Sequence, residues 1–134
     1  MPKVFTSKSQ KIGEQGEQIA CRYLEKHGYS ILERNYTKKW GELDIVAKKG
    51  GRVHLIEVKS KNTNFAFEDS HKGADLYRPE ENMSAQKIAR LRRAVQSYLL
   101  ERHIKTEWQF DLAVVSMDNA KRIARVKLLE DIII

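Results

Sequence analysis

From Lys11 to His27 the apolar positions Ile12, Ile19, Ala20, Tyr23 and Leu24 recur at helical spacing, and Gly28 follows as a stop, which predicts a first helix. The period then shortens to two. Tyr29 to Tyr36, Glu42 to Lys48 and Arg52 to Ser60 read as strands, and Gly50-Gly51 closes the last two into a tight hairpin. Lys61 to Asn82 shows no sustained period and carries Pro79, so it reads as a long functional or partly disordered loop. Ser84 is placed to cap a second helix running to about Arg102, with Ile88, Leu91, Val95, Tyr98 and Leu99 on one side. Trp108 to Met117 and Ile123 to Leu129 are two further strands around a turn at Asp118-Asn119, and an apolar tail, Ile132 to Ile134, closes the chain. The order αβββαββ predicts an α/β fold, a central mixed sheet flanked by helices. No repeat or second composition regime divides it, so residues 1–134 are expected to form one domain.

Charge narrows the partners. Lys plus Arg number 25 against 18 for Asp plus Glu, a net charge of +7 that favours a polyanion such as nucleic acid. The lone Cys21 excludes an internal disulfide framework and a cysteine-based zinc cluster, and with no signal-like or membrane-spanning apolar run it points to the cytoplasm and away from membranes. Gly13-x-x-Gly16 lies inside the first helix without the strand or the Lys-Ser/Thr of a phosphate loop, so close packing accounts for it. The four histidines share no ligand spacing and take no role.

The hairpin carries the chemistry. A two-residue loop at Gly50-Gly51 places Asp44 directly opposite Glu57, Glu42 opposite Lys59 and Val46 opposite Leu55, with Glu42, Asp44 and Val46 on one face of their strand. A Glu-X-Lys by itself ordinarily belongs to a solvated strand face. Opposed carboxylates beside Leu43, Ile45, Ile56 and Val58 repel one another in a partly dry setting, and a hard divalent ion such as Mg²⁺ or Mn²⁺ relieves that repulsion. Lys59 then stands where an ammonium can position water or balance charge on a phosphoryl transition state. On a helical wheel Glu17 falls beside Leu24, at the border of the apolar stripe, with Glu14 on the solvent side.

Asp44 with Glu57-Val58-Lys59 resembles the D…ExK signature of the PD-(D/E)XK nucleases, whose core is an αβββαβ restriction-endonuclease-like fold. Gly13-Glu14-Gln15-Gly16-Glu17, Gly41-Glu42-Leu43-Asp44, Glu57-Val58-Lys59-Ser60 and Phe110-Asp111-Leu112 resemble more closely the YraN family, itself similar to archaeal Holliday junction resolvases. The resemblance runs from Gly13 to Val115. It implies Asp44 and Glu57 as metal ligands, Lys59 as a catalytic lysine, Glu17 as the accessory helix glutamate of resolvase-like members, and branched DNA as a substrate class.

Arg34, Lys38, Lys39 and Trp40 precede the acidic strand, where the cations suit phosphates and the indole suits a base or sugar. Lys87, Arg90 and Arg93 recur at three-residue spacing on the second helix and are expected to face one DNA backbone. The sequence therefore reads as a DNA-binding, Mg²⁺-dependent endonuclease-like protein hydrolysing phosphodiesters, with a homodimer left open. Two rivals stand beside it: a non-catalytic nucleic-acid-binding adaptor with the same fold, and an interaction subunit that docks through its apolar tail.

Overall fold

The computed structural model describes residues 8–70 and 83–134, and none of the described helices is long and apolar enough to cross a membrane. Its elements are α1 (Lys8–Lys26), β1 (Ser30–Lys38), β2 (Gly41–Lys49), β3 (Arg52–Asn62), α2 (Phe65–Ser70), α3 (Ala85–Glu101), β4 (Trp108–Asp118) and β5 (Ile123–Leu129). The strands form one sheet in the order β1-β2-β3-β4-β5, with β3 and β4 parallel and every other pair antiparallel. A parallel pair needs a crossover, and α3 lies in the one joining β3 to β4. This is the α/β class expected, a mixed sheet flanked by helices and consistent with a restriction-endonuclease-like fold.

Alternation along the strands sorts apolar residues onto two faces. On one, Ala20, Cys21 and Leu24 of α1 pack with Ile45, Ala47, Ile56 and Ala113; on the other, Leu91, Ala94, Val95 and Tyr98 of α3 pack with Val46, Val53, Leu55 and Leu112. Each helix therefore buries a stripe against the sheet, which supplies most of its stability. Gly28, at φ 88°, ends α1, and the Tyr29 N–H reaches back to the Leu24 carbonyl at 3.0 Å. Ser84 caps α3 through a 3.1 Å bond from the Lys87 N–H to its Oγ.

Several expectations change. The segment read as one long loop begins with the end of β3, at Asn62, and with α2, whose Phe65 is buried and whose first turn is held by a 3.0 Å bond from the Phe67 N–H to Asn64 Oδ1. A helix of six residues is too short to show a period. The remainder of that segment, 71–82, lies outside the described residues.

The hairpin register holds from Lys49↔Arg52 to Ile45↔Ile56 and the ladder stops there, so Asp44 and Glu57 are not cross-strand partners, nor are Glu42 and Lys59. The face assignment changes at the same place. Leu43 packs in the α3-side cluster with Val46, three residues away, whereas Ile45 packs on the α1 side, so strict alternation breaks at Asp44. Neighbouring Asn35 of β1 has a φ of 54° and drops out of the pairing between Arg34↔Ile45 and Tyr36↔Leu43. Glu14, expected on the solvent side, is half-buried. The tail is partly intramolecular: the Ile132 N–H donates to the Phe110 carbonyl at 2.7 Å, and Ile132 and Ile134 pack on the α3-side core while Ile133 is exposed.

Candidate functional site

Where the β2–β3 ladder ends, the two strands fork. Asp44 Oδ2 accepts the Val58 N–H at 2.8 Å, so a side-chain oxygen takes the place of the next backbone acceptor and turns Asp44 into the gap. Glu57 and Lys59 follow on the α3-facing side of β3, and Lys59 Nζ lies 3.2 Å from Glu57 Oε1. Lys87 Nζ, from the first turn of α3, reaches the same Oε1 at 3.1 Å. Glu57 Oε2 is buried and has no hydrogen-bond partner.

Two glycines clamp helices onto this fork from opposite faces. A Cβ on Gly41 would lie 2.5 Å from the Arg90 carbonyl oxygen, so its absence lets α3 press on the start of β2. A Cβ on Gly16 would lie 1.7 Å from Ser60 Oγ and 2.7 Å from Ser60 Cβ, so α1 presses on β3 just past Lys59 and carries Glu17 inward. Close packing thus explains Gly16, whereas Gly13 has open space. Glu17 is buried at 8% exposure, beside Arg34 at 3.7 Å.

The electrostatics follow from that crowding. Burial pushes the Asp44 carboxyl up to about 7, partly offset by the Val58 N–H, and the carboxylates of Glu17, Glu57 and Glu42 add to the rise. Lys59 is pulled below the ordinary lysine range, first by burial and then by its Lys87 neighbour. An orphaned, buried carboxylate oxygen beside an aspartate that resists ionisation fits an added divalent cation, and all-oxygen donors suit Mg²⁺ or Mn²⁺. Asp44 and Glu57 are the residues that could hold such an ion.

The basic residues separate by what they touch. Lys87, expected on a DNA face, points into the fork, while exposed Arg90 lines the same cleft of about 520 Å³ with Gly41, Glu42, Glu57 and Ser84. Arg93 stacks its guanidinium 5.2 Å from the centre of the Trp40 ring, and Trp40 Nε1 donates to Ser97 Oγ at 3.2 Å, so one face of the indole is taken. Lys38 pairs with Glu101 at 3.1 Å, Arg34 lies beside Glu17, and Lys39 is exposed at the β1–β2 turn.

A second polar cluster escaped the sequence reading. On the α1-facing side of the sheet, buried His54 Nδ1 lies 2.8 Å from Oδ2 of fully buried Asp111, while Asp111 Oδ1 accepts from Gln109 Nε2 at 2.8 Å and from the Asp131 N–H at 2.9 Å. His54, Asp111 and Glu130 each bring a potential ligand atom within 4.8 Å of the others, but both Asp111 oxygens are already engaged, and the network anchors the C-terminal segment to β4. The signal was the buried-strand position of His54 across from Gln109, two residues before an aspartate.

Together, a mixed sheet with a helix on each face and an Asp…Glu-X-Lys set at a fork between two strands place the molecule in the restriction-endonuclease-like class of architecture. The chain belongs to the uncharacterised protein family UPF0102, also called the YraN family, whose model matches residues 16–115. Among its relatives are UPF0102 proteins of Campylobacter hominis, 31% identical over 90% of this chain and 97% of that protein, and of Persephonella marina, 35% identical over 80% and 84%. A further UPF0102 protein, from Campylobacter lari, is 35% identical over 90% of this chain and 91% of its own length.

Proposed function

We propose that the chain is a metal-dependent nuclease that hydrolyses DNA phosphodiesters, with branched DNA as the substrate class carried over from the resolvase resemblance. The observation that carries this reading is the fork itself: Asp44 held by the Val58 N–H, Glu57 with one orphaned buried oxygen, and Lys59 on that glutamate. Asp44 and Glu57 would hold Mg²⁺ or Mn²⁺, which, when bound, polarises a phosphoryl oxygen and lowers the pKa of a coordinated water. Lys59, drawn below the usual lysine range, is placed to orient the attacking water or to balance charge on the phosphoryl group. Glu17, buried on the α1 side, adds negative charge near Asp44 that a bound cation would offset, and it serves as the accessory acidic residue. Arg90 lines the cleft, and the +7 net charge draws the phosphate backbone toward it.

A second reading, a non-catalytic DNA-binding adaptor, draws on one observation. Lys59 and Lys87 share Glu57 Oε1, so that carboxylate has cationic partners without any metal. A panel of linear, single-stranded, flapped and four-way DNA, with Mg²⁺, Mn²⁺ or chelator, separates the two. The nuclease reading expects metal-dependent cutting of at least one substrate, with Asp44→Asn, Glu57→Gln and Lys59→Ala each removing most of it while the fold persists. Cutting retained by Asp44→Asn refutes the mechanism; binding without cutting across the panel leaves the adaptor.

A further inference from the structure

We infer that Lys87 is a built-in counter-ion of the metal site: its ammonium occupies Glu57 in the metal-free protein and is handed to a substrate phosphate when a divalent cation binds. The inference rests on the nuclease reading of the fork and deepens it. Its starting point is a local rule that this helix breaks. Ser84 is the N-cap of α3 and accepts the Lys87 N–H, so Lys87 is the third residue of the helix, and the first turn contains no acid. That position normally favours Glu or Gln, because the exposed N–H groups there carry partial positive charge. A lysine at this point adds like charge to the helix terminus. The adverse placement is offset by Glu57, whose Oε1 lies 3.1 Å from the Lys87 ammonium.

Two ammonium groups converge on that oxygen, but their tethers differ. Lys59 sits on β3 two residues from Glu57 and its side chain is 25% exposed, whereas Lys87 is 39% exposed and lines the cleft beside Ser84 and Arg90. A divalent cation held by Asp44 and Glu57 repels both ammoniums. Lys87 is the one with open cleft to move into, and there the helix N-terminus, Arg90 and the ammonium together favour a phosphate oxygen. The Gly41 contact with the Arg90 carbonyl holds α3 close enough for this exchange without movement of the helix. Lys87 is on this account a positioning residue in the metal-free protein and a phosphate ligand in the loaded one.

The two roles predict shifts of opposite sign. Without Lys87 the metal meets less positive charge, so Lys87→Met should bind Mn²⁺, followed by the paramagnetic signal of the free ion, roughly three- to tenfold more tightly than wild type. The same variant should bind a short DNA duplex in Ca²⁺ about tenfold more weakly, and by clearly more than Lys105→Met, a remote surface control. Lys87→Arg, which keeps the charge, should remain near wild type in both assays. Both shifts are required: unchanged or weaker Mn²⁺ binding by Lys87→Met, or a DNA loss no larger than that of Lys105→Met, overturns the inference and leaves Lys87 an ordinary surface cation. Wild type that takes up no Mn²⁺ at all overturns the nuclease reading as well, so the two failures are told apart by the wild-type titration.

Discussion

Replacing Asp44 with asparagine should stabilise the metal-free protein, and the gain should depend on pH in a defined direction. Burial lifts the Asp44 carboxyl from an ordinary 3.8 to about 7, so folding favours the protonated form. A folded-state value above the unfolded one gives a contribution that is fully present below about pH 4 and is lost as pH rises through about 7. The shift of roughly three units, at about 1.4 kcal/mol per unit, sets a ceiling near 4 kcal/mol for the cost of ionising Asp44 in the fold. Asp44 is only half-buried and its neighbours can relax, so about 1–3 kcal/mol is the figure to expect. For a domain of this size that corresponds to about 4–10 °C in melting temperature.

Asparagine keeps an oxygen to accept the Val58 N–H, so the substitution removes charge without removing that bond. In chelator at about pH 8, Asp44→Asn should therefore melt above wild type, and the gap should narrow as pH falls and close only below about pH 4, where Asp44 is protonated in the folded and unfolded chains alike. Adding Mg²⁺ or Mn²⁺ at about pH 8 should raise wild type by mass action, about 2.7 kcal/mol at a hundredfold excess over Kd, and should raise the variant much less. Melting curves that coincide across this pH range in chelator, and respond equally to metal, would return Asp44 to a solvated strand face and remove the physical case for a cation at the fork.

Gly41→Ala forces a Cβ to within 2.5 Å of the Arg90 carbonyl, and should cost about 1–3 kcal/mol of stability, read as a lower denaturant midpoint, as α3 is pushed from β2. Gly16→Ala meets Ser60 Oγ and Cβ, so pairing it with Ser60→Gly should recover part of the loss; no recovery would place the strain elsewhere. Asp111→Ala leaves the His54, Gln109 and Asp131 donors without their buried acceptor and should cost about 2–4 kcal/mol, with faster amide exchange at Asp131 and Ile132; an unchanged melting point would deny the network its anchoring role.

Apart from the short α2, element order and hairpin register are local properties, and they were legible. Gly50 and Gly51 take φ of 58° and 77°, the turn geometry that a two-residue hairpin needs, and the pairing from Lys49↔Arg52 to Ile45↔Ile56 follows from it. What the turn does not fix is how far the ladder runs. Its end is set by competition between a backbone carbonyl and the Asp44 carboxylate for the Val58 N–H, assisted by the left-handed Asn35 across the β1–β2 pair. Extrapolating the register through that point put Asp44 opposite Glu57, when the two strands have already parted. The inward position of Glu17 was legible from its place on the wheel; the glycine contact that brings α1 close was legible only as a packing glycine, because its partner, Ser60, lies on another element.

The basic stretch of α3 shows the same limit more sharply. Three-residue spacing places Lys87, Arg90 and Arg93 along one line of a helix, and from spacing alone they form a single phosphate-binding face. What lies across from each turn differs: Glu57 opposite the first, the cleft opposite the second and the Trp40 indole opposite the third. The long side chains follow those neighbours rather than the helix line. Periodicity identifies which residues can share a face, and the charges and rings on the opposing elements decide which of them do. The cue available in the sequence was positional: a lysine three residues after the Ser84 cap, in a first turn without an acid, contradicts the helix's own electrostatics and so calls for a partner elsewhere in the fold. That partner is a glutamate left half-satisfied at the fork, and the two irregularities account for one another.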